Sequence, residues 1–249
     1  MASDTKSKKT SRHRTVRSPM IGFKTEKCLV SSFVAAARSH RSAGTRLIRT
    51  EFNSTNGIAD IVQVTLRANW RSNIALGRIL PQWAYALREI PYRRHFSTEY
   101  FQEMSGASRE NATAILRRFT ELNYCIRVRP GYWAKRRQPV PLIKEIVAIE
   151  AKLTNWRRVL GQAYRHLDYA HRSWVLMDGT RADPAIEHLA HFKRLNIGLI
   201  TLVPQQRPRV WFTPAKYTPK SNISYWHANA ELARRLAFQM SRVVAVDDI

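Results

Sequence analysis

The chain has 249 residues, 44% of them hydrophobic, which suffices for one sizeable core or for a core plus a small second module. Its net charge is +24; the first twenty residues carry six Lys/Arg against one Asp, so +19 stays with the other 229, and a folded body that basic points to a polyanion, most simply nucleic acid. No window has the roughly 18 apolar residues of a membrane span and no apolar segment follows the basic start as in a secretory signal, so neither a membrane partner nor export is expected.

Residues 1–20 read as a disordered basic arm adding non-specific phosphate attraction. Residues 24–40 read as a helix capped by Thr25, with Leu29, Val30, Phe33, Val34 and Ala37 on one stripe. Residues 45–66 read as two strands turning at Asn53–Gly57, where Asn-Gly tolerates positive φ. Ile58, Asp60, Val62 and Val64 would share a face of the second strand, and Asp60 is its odd member. The two cysteines, Cys28 and Cys125, lack zinc-site spacing and read as reduced, buried small apolar residues of a cytoplasmic protein.

From residue 80 the texture changes. LPQWAYALREI is a helix, STEYFQEM a second capped by Ser97, and RENATAILRRFTEL a third. Ala112, Ile115, Leu116, Phe119 and Leu122 form the apolar stripe of that third helix. NYCIRVRPGYWAKRR is a hairpin turning at Pro130–Gly131. This order resembles a winged helix-turn-helix, with the third helix in the recognition position. Arg109, Thr113, Arg117 and Arg118 on that helix would meet DNA, as would Arg129, Lys135, Arg136 and Arg137 on the wing; phosphate contact is favoured over base reading.

Strand and helix texture then resumes. A strand runs over 145–153, a helix over 155–171, an apolar strand over 173–178, a helix over 183–195 and a strand over 196–203. A Pro-rich basic extended segment follows, and a helix over 225–242 closes the chain. Short buried strands alternating with helices indicate an α/β sheet. On the helix after 155, Trp156, Val159, Leu160, Ala163, Leu167 and Ala170 form the buried stripe, Gln162 its edge, and Arg157, Arg158 and Arg165 the far face. His166, His171, His188 and His191 read as surface or packing residues.

In IVAIEAKL the alternation of a strand puts Glu150 and Lys152 on one surface, about 7 Å apart. A second carboxylate, Asp60, comes from another strand. Two converging carboxylates can bind a hard cation such as Mg²⁺, and an adjacent ammonium can orient water or offset developing charge.

Asp60 on one strand, Glu150-Ala151-Lys152 on the next, then a helix and an apolar strand resemble the PD-(D/E)xK, or restriction-endonuclease-like, nuclease superfamily. Glu26 matches the acidic residue that family often places on the preceding helix, and Gln162 a Gln that some branches carry on the following one. Asp60 lacks the usual preceding Pro. About 80 residues separate Asp60 from Glu150, a gap the inserted module accounts for.

The resemblance implies a mixed α/β sheet flanked by helices, built from residues 21–75 and 141–249 with a C-terminal extension, and interrupted by the winged helix-turn-helix at 76–140. It implies hydrolysis of DNA phosphodiesters by water attack with inversion at phosphorus. The catalytic set would be Asp60, Glu150, Lys152, Gln162 and Glu26, with Mg²⁺ or Mn²⁺ held by Asp60, Glu150 and the Ala151 carbonyl. Duplex DNA is the expected partner and the cytoplasm, at the nucleoid, the expected location; double-strand cleavage would call for a homodimer. The rival expectation is a non-cleaving winged-helix regulator on an inactive nuclease-like core.

Overall fold

The computed structural model describes residues 21–39 and 46–247, so the basic arm expected over 1–20 lies outside the described residues. Helix α1 (Glu26–Ser39) starts where the Thr25 hydroxyl accepts the Cys28 amide, and Glu26 and Arg38 complement its two ends. Strands β1 (Arg46–Ser54) and β2 (Gly57–Leu66) form a hairpin around Thr55 and Asn56. Gly57 supplies the positive φ, +113°, that ends the turn.

After β2 come 3-10 helices at Trp70–Arg78 and Pro81–Trp83, then α2 (Ala84–Glu89), β3 (His95–Ser97), α3 (Thr98–Ser105), α4 (Arg109–Glu121), β4 (Cys125–Arg129) and β5 (Tyr132–Lys135). Ser97 and Ser108 cap α3 and α4 through their hydroxyls. The remainder is β6 (Ile143–Lys152), α5 (Trp156–Arg165), a 3-10 turn His166–Asp168, β7 (Arg172–Asp178), α6 (Asp183–Glu187), α7 (Leu189–Leu195), β8 (Gly198–Leu202), β9 (Arg209–Phe212) and α8 (Asn222–Asp247).

The main sheet has six strands in the order β1-β2-β6-β7-β8-β9. Its centre, β6-β7-β8, is parallel; β1, β2 and β9 run antiparallel to their neighbours. The molecule is thus an α/β protein with a mixed sheet flanked by helices. A second sheet, β3-β5-β4, lies in the segment between β2 and β6.

Helix α1 covers one face of the main sheet, setting Leu29 and Phe33 on Ile61, Ile149 and Leu176. On the other face α5 and α7 cover β7 and β8, with Val159, Ala163 and Phe192 on Val175, Met177 and Leu199. Beside them, Val62, Val64, Ile146 and Ala148 join α8 and the inserted segment in one apolar cluster that includes Leu87, Phe101, Leu116, Phe119 and Ala233. Each such large side chain, fully buried, contributes about 1.5–3 kcal/mol. The 3-10 helix at Trp70–Arg78 meets α8 so closely that a Cβ on Gly77 would stand 2.4 Å from the Ala233 carbonyl carbon. Among the described residues no helix is long and apolar enough to cross a membrane.

Several expected elements are corrected. The helix expected over 155–171 stops at Arg165 and tightens into a 3-10 turn. The one expected over 183–195 breaks at His188, whose ring stacks on Trp156 with centroids 4.8 Å apart. The Pro-rich segment contributes the edge strand β9. Ile58 is exposed and not a partner of the buried Val62 and Val64, because the β2–β6 ladder ends at Ile61. Cys125 is buried as expected, whereas Cys28 is exposed.

Candidate active site

Asp60 sits where two ladders fail together. The β2–β6 pairing ends at Ile61↔Ile149. The β1–β2 pairing keeps Thr50↔Ile61 and Phe52↔Ala59 but skips the Glu51–Asp60 position between them. Glu51 adopts φ +51°, a left-handed conformation costly for a residue with a Cβ. Local disruption of a ladder re-aims a side chain. Here the Asp60 carboxylate turns to β6 and its Oδ2 accepts the Ala151 amide at 2.7 Å. Burial pushes the Asp60 carboxyl above the usual carboxylate range; the Ala151 N–H opposes the shift, Glu150 adds to it, Lys152 opposes it and Glu26 adds to it. Asp60 therefore lies in the field of the other three charged groups the sequence singled out.

Glu150 and Lys152 follow at the end of β6. Lys152 Nζ donates to Glu26 Oε2 at 2.6 Å, so the first residue of α1 meets the last residue of β6. Glu150 is buried, and its Oε2 lies 2.9 Å from His166 Nε2. A carboxylate can only accept, so the imidazole carries its proton on Nε2 in this bond. His166 is itself buried, which excludes the surface half of its reading as a surface or packing residue, and its bond to Glu150 goes beyond packing. Gln162 precedes it by one helical turn and so rises from the same flank of α5. The Gln162 Oε1 is buried without a hydrogen-bond partner, which is unusual for a native side chain. The signal for His166 was its four-residue spacing from Gln162 on the helix that follows the Glu150 strand.

A second buried acid, Asp178 at the end of β7, has a structural role. Its oxygens accept the Phe23 amide at 2.9 Å and the Thr180 amide and hydroxyl at 3.0 and 2.9 Å.

The residues expected to meet DNA divide into two groups. Arg109, Thr113 and Arg117 on α4 line a groove with Arg127 on β4, Thr98 and Gly131. Arg129 and Arg136 are exposed, and the Arg129 guanidinium lies 4.1 Å from the Tyr132 ring centroid. The second group is engaged within the protein. Arg118 donates to the Arg78 carbonyl at 3.1 Å and to Glu121 at 2.7 Å. Arg137 is half-buried, bonded to the Ser72 carbonyl and to Asn73 Oδ1, and lies over Tyr124. Lys135 is a correction: it is 1% exposed and its Nζ donates to the Leu87 and Arg88 carbonyls at 3.0 Å each. These are orphan carbonyls at the end of α2, and burial, with Arg88 nearby, pulls the Lys135 ammonium down to about 8.

Among the described residues no group of three or more His, Cys, Asp or Glu side chains is arranged to hold a metal ion. A zinc site takes such a cage, whereas a hard cation keeps several waters and takes one or two carboxylates. The donor set fits the latter. Asp60 and Glu150 offer two carboxylates in each other's field, and the Gln162 Oε1 is a buried acceptor with nothing to accept from. The Ala151 carbonyl adds a neutral oxygen on the Asp60 side, since N–H and C=O of a strand residue point the same way. No protein-family model, curated protein or solved structure matches the chain.

Proposed function

We propose that the chain is a metal-dependent DNA endonuclease of restriction-endonuclease-like fold, whose segment between β2 and β6 is a winged helix-turn-helix that binds duplex DNA. The observation that carries this reading is the meeting of Asp60, Glu150, Lys152 and Glu26 at one end of β2 and β6, with Asp60 pulled onto the Ala151 amide. Groups far apart in sequence converge there, and like-charged carboxylates are kept together at a cost that a cation relieves.

Asp60, Glu150 and the Ala151 carbonyl would hold Mg²⁺ or Mn²⁺. When bound, such an ion polarises a phosphodiester and lowers the pKa of a coordinated water. The chain's own groups do the rest. Lys152 offsets negative charge on the phosphate or orients the attacking water, with Glu26 fixing where its ammonium stands. His166 locks the Glu150 carboxylate in one orientation. The helix and strand order α2-β3-α3-α4-β4-β5, with the β3-β5-β4 sheet, supports the winged-helix reading of the insertion. Its groove between α4 and β4 offers three arginines to phosphates, against one carboxylate, Glu99, which lies in the field of Arg109.

The test is supercoiled plasmid with Mg²⁺, beside EDTA and Lys152→Ala controls. Nicking by the wild type alone supports the enzyme. The pairing of Lys152 with Glu26 and of Glu150 with His166 favours one rival, a non-cleaving DNA-binding regulator on the same core. Tight, salt-sensitive DNA binding without cleavage of plasmid, branched or single-stranded DNA would select it.

A further inference from the structure

The outer face of α5 has no role in the site on its inner flank. Arg157, Arg158, Gly161, Tyr164 and Arg165 are all exposed there. Helix α5 contains no Asp or Glu. Among the described residues none of its three arginines has an acidic partner within ion-pair distance. Lys220 adds a further positive charge, its Nζ 3.7 Å from the Tyr164 ring centroid. Gly161 is the second, independent observation. It lies in the middle of an amphipathic helix, where glycine is the least favourable residue after proline, and a Cβ added to it would meet nothing within 4 Å. Packing inside the molecule therefore gives no reason for a glycine. A bare backbone on an outer helix surface suits the close approach of something from outside.

We infer that this face of α5 is a second nucleic-acid surface, on the sheet domain rather than on the insertion, where a duplex phosphate backbone crosses the helix at Gly161 between Arg157, Arg158 and Arg165. The partner follows from charge complementarity: guanidinium groups without carboxylate partners, flanking a notch, fit consecutive phosphates. The inference rests on the duplex-binding half of the proposed function.

Two variants test it by fluorescence anisotropy of a labelled duplex of about 30 base pairs over a salt series. Replacing Arg157, Arg158 and Arg165 together by Ala lowers the slope of log K against log salt by about two to three, near 0.9 for each phosphate that is no longer neutralised. Gly161→Gln, a better helix former, leaves the melting temperature equal or higher yet weakens binding about fivefold or more. A glycine with no ligand over it would give the first effect without the second. If the wild type binds duplex and both variants match it, while Arg117→Ala loses affinity, the α5 surface is wrong and the insertion alone binds. If the wild type binds no duplex, the duplex-binding reading and this inference fall together.

Discussion

Lys152 and Lys135 each close a strand, one in the main sheet and one in the sheet of the insertion, and their fates separate the two regions. Lys152 is 22% exposed in its side chain and faces a carboxylate drawn from a distant helix. Lys135 is 1% exposed and is spent on two backbone carbonyls of its own module. In the main sheet, charges from β2, β6 and α1 converge where the ladder opens. In the insertion, the Lys135 ammonium is turned inward onto two α2 carbonyls, and the charges free to meet a partner stand outside on α4 and the β4–β5 hairpin. A basic sequence run thus does not indicate which cations a partner can reach.

The comparison breaks most readily at the main sheet. Asp60→Ala and Lys152→Ala should each lower plasmid nicking by about 10³-fold or more while duplex affinity changes less than about twofold by anisotropy. Loss of binding along with cleavage would mean that the two regions do not divide these tasks. Next in size is their junction. Gly77→Ala should cost about 3 kcal/mol by urea denaturation, because the added methyl overlaps the α8 backbone at Ala233.

Lys135 gives a pH signature. Its folded value near 8 lies below the ordinary 10.5, so between the two the unfolded chain binds more protons and stability rises with pH. The penalty is fully present below pH 8 and is relieved on approach to 10.5. Wild type should therefore gain about 2–3 kcal/mol on Lys135→Met between about pH 7.5 and 10. Equal pH profiles would place the ammonium in solvent.

His166→Asn should weaken Mn²⁺ binding by about 10–100-fold, read by calorimetry on the non-cleaving Lys152→Ala background. Unchanged affinity would reduce the histidine to packing. The smallest effect belongs to the insertion: Arg117→Ala should cost about 1 kcal/mol of duplex affinity and about one unit of salt slope, leaving the cleavage rate at saturating DNA unchanged.

Elements with their own period or turn chemistry are legible in the sequence. Asn56-Gly57 marks the β1–β2 hairpin, the stripe from Ala112 to Leu122 marks α4, and the apolar run around Glu150 marks β6. What escapes depends on partners distant in sequence. Three residues at 95–97 become β3 only because β5 offers an edge. The 3-10 helix at 70–78 takes its place from α8 packed against Gly77. Asp60, Glu150, Lys152 and Glu26 can be named from type and order, and the structure brings them together. His166 is not named by type and order: its spacing from Gln162 is the one local signal, and a histidine ending an amphipathic helix reads as packing until the carboxylate beneath it is seen. Lys135 reads wrongly from sequence for the converse reason: nothing local shows that β5 carries its last side chain under α2.

The insertion is fastened at one end of the β2–β6 pair, where the Arg67 amide donates to the Leu142 carbonyl, and the carboxylates stand at the other. The run of strand from Asp60 to Leu66 fixes that offset at about 20 Å, the length of about six base pairs of B-form duplex. On the proposed function, the paired strands would set how far the carboxylates stand from the root of the insertion. A duplex gripped by the insertion would then be cut to one side of the gripped segment.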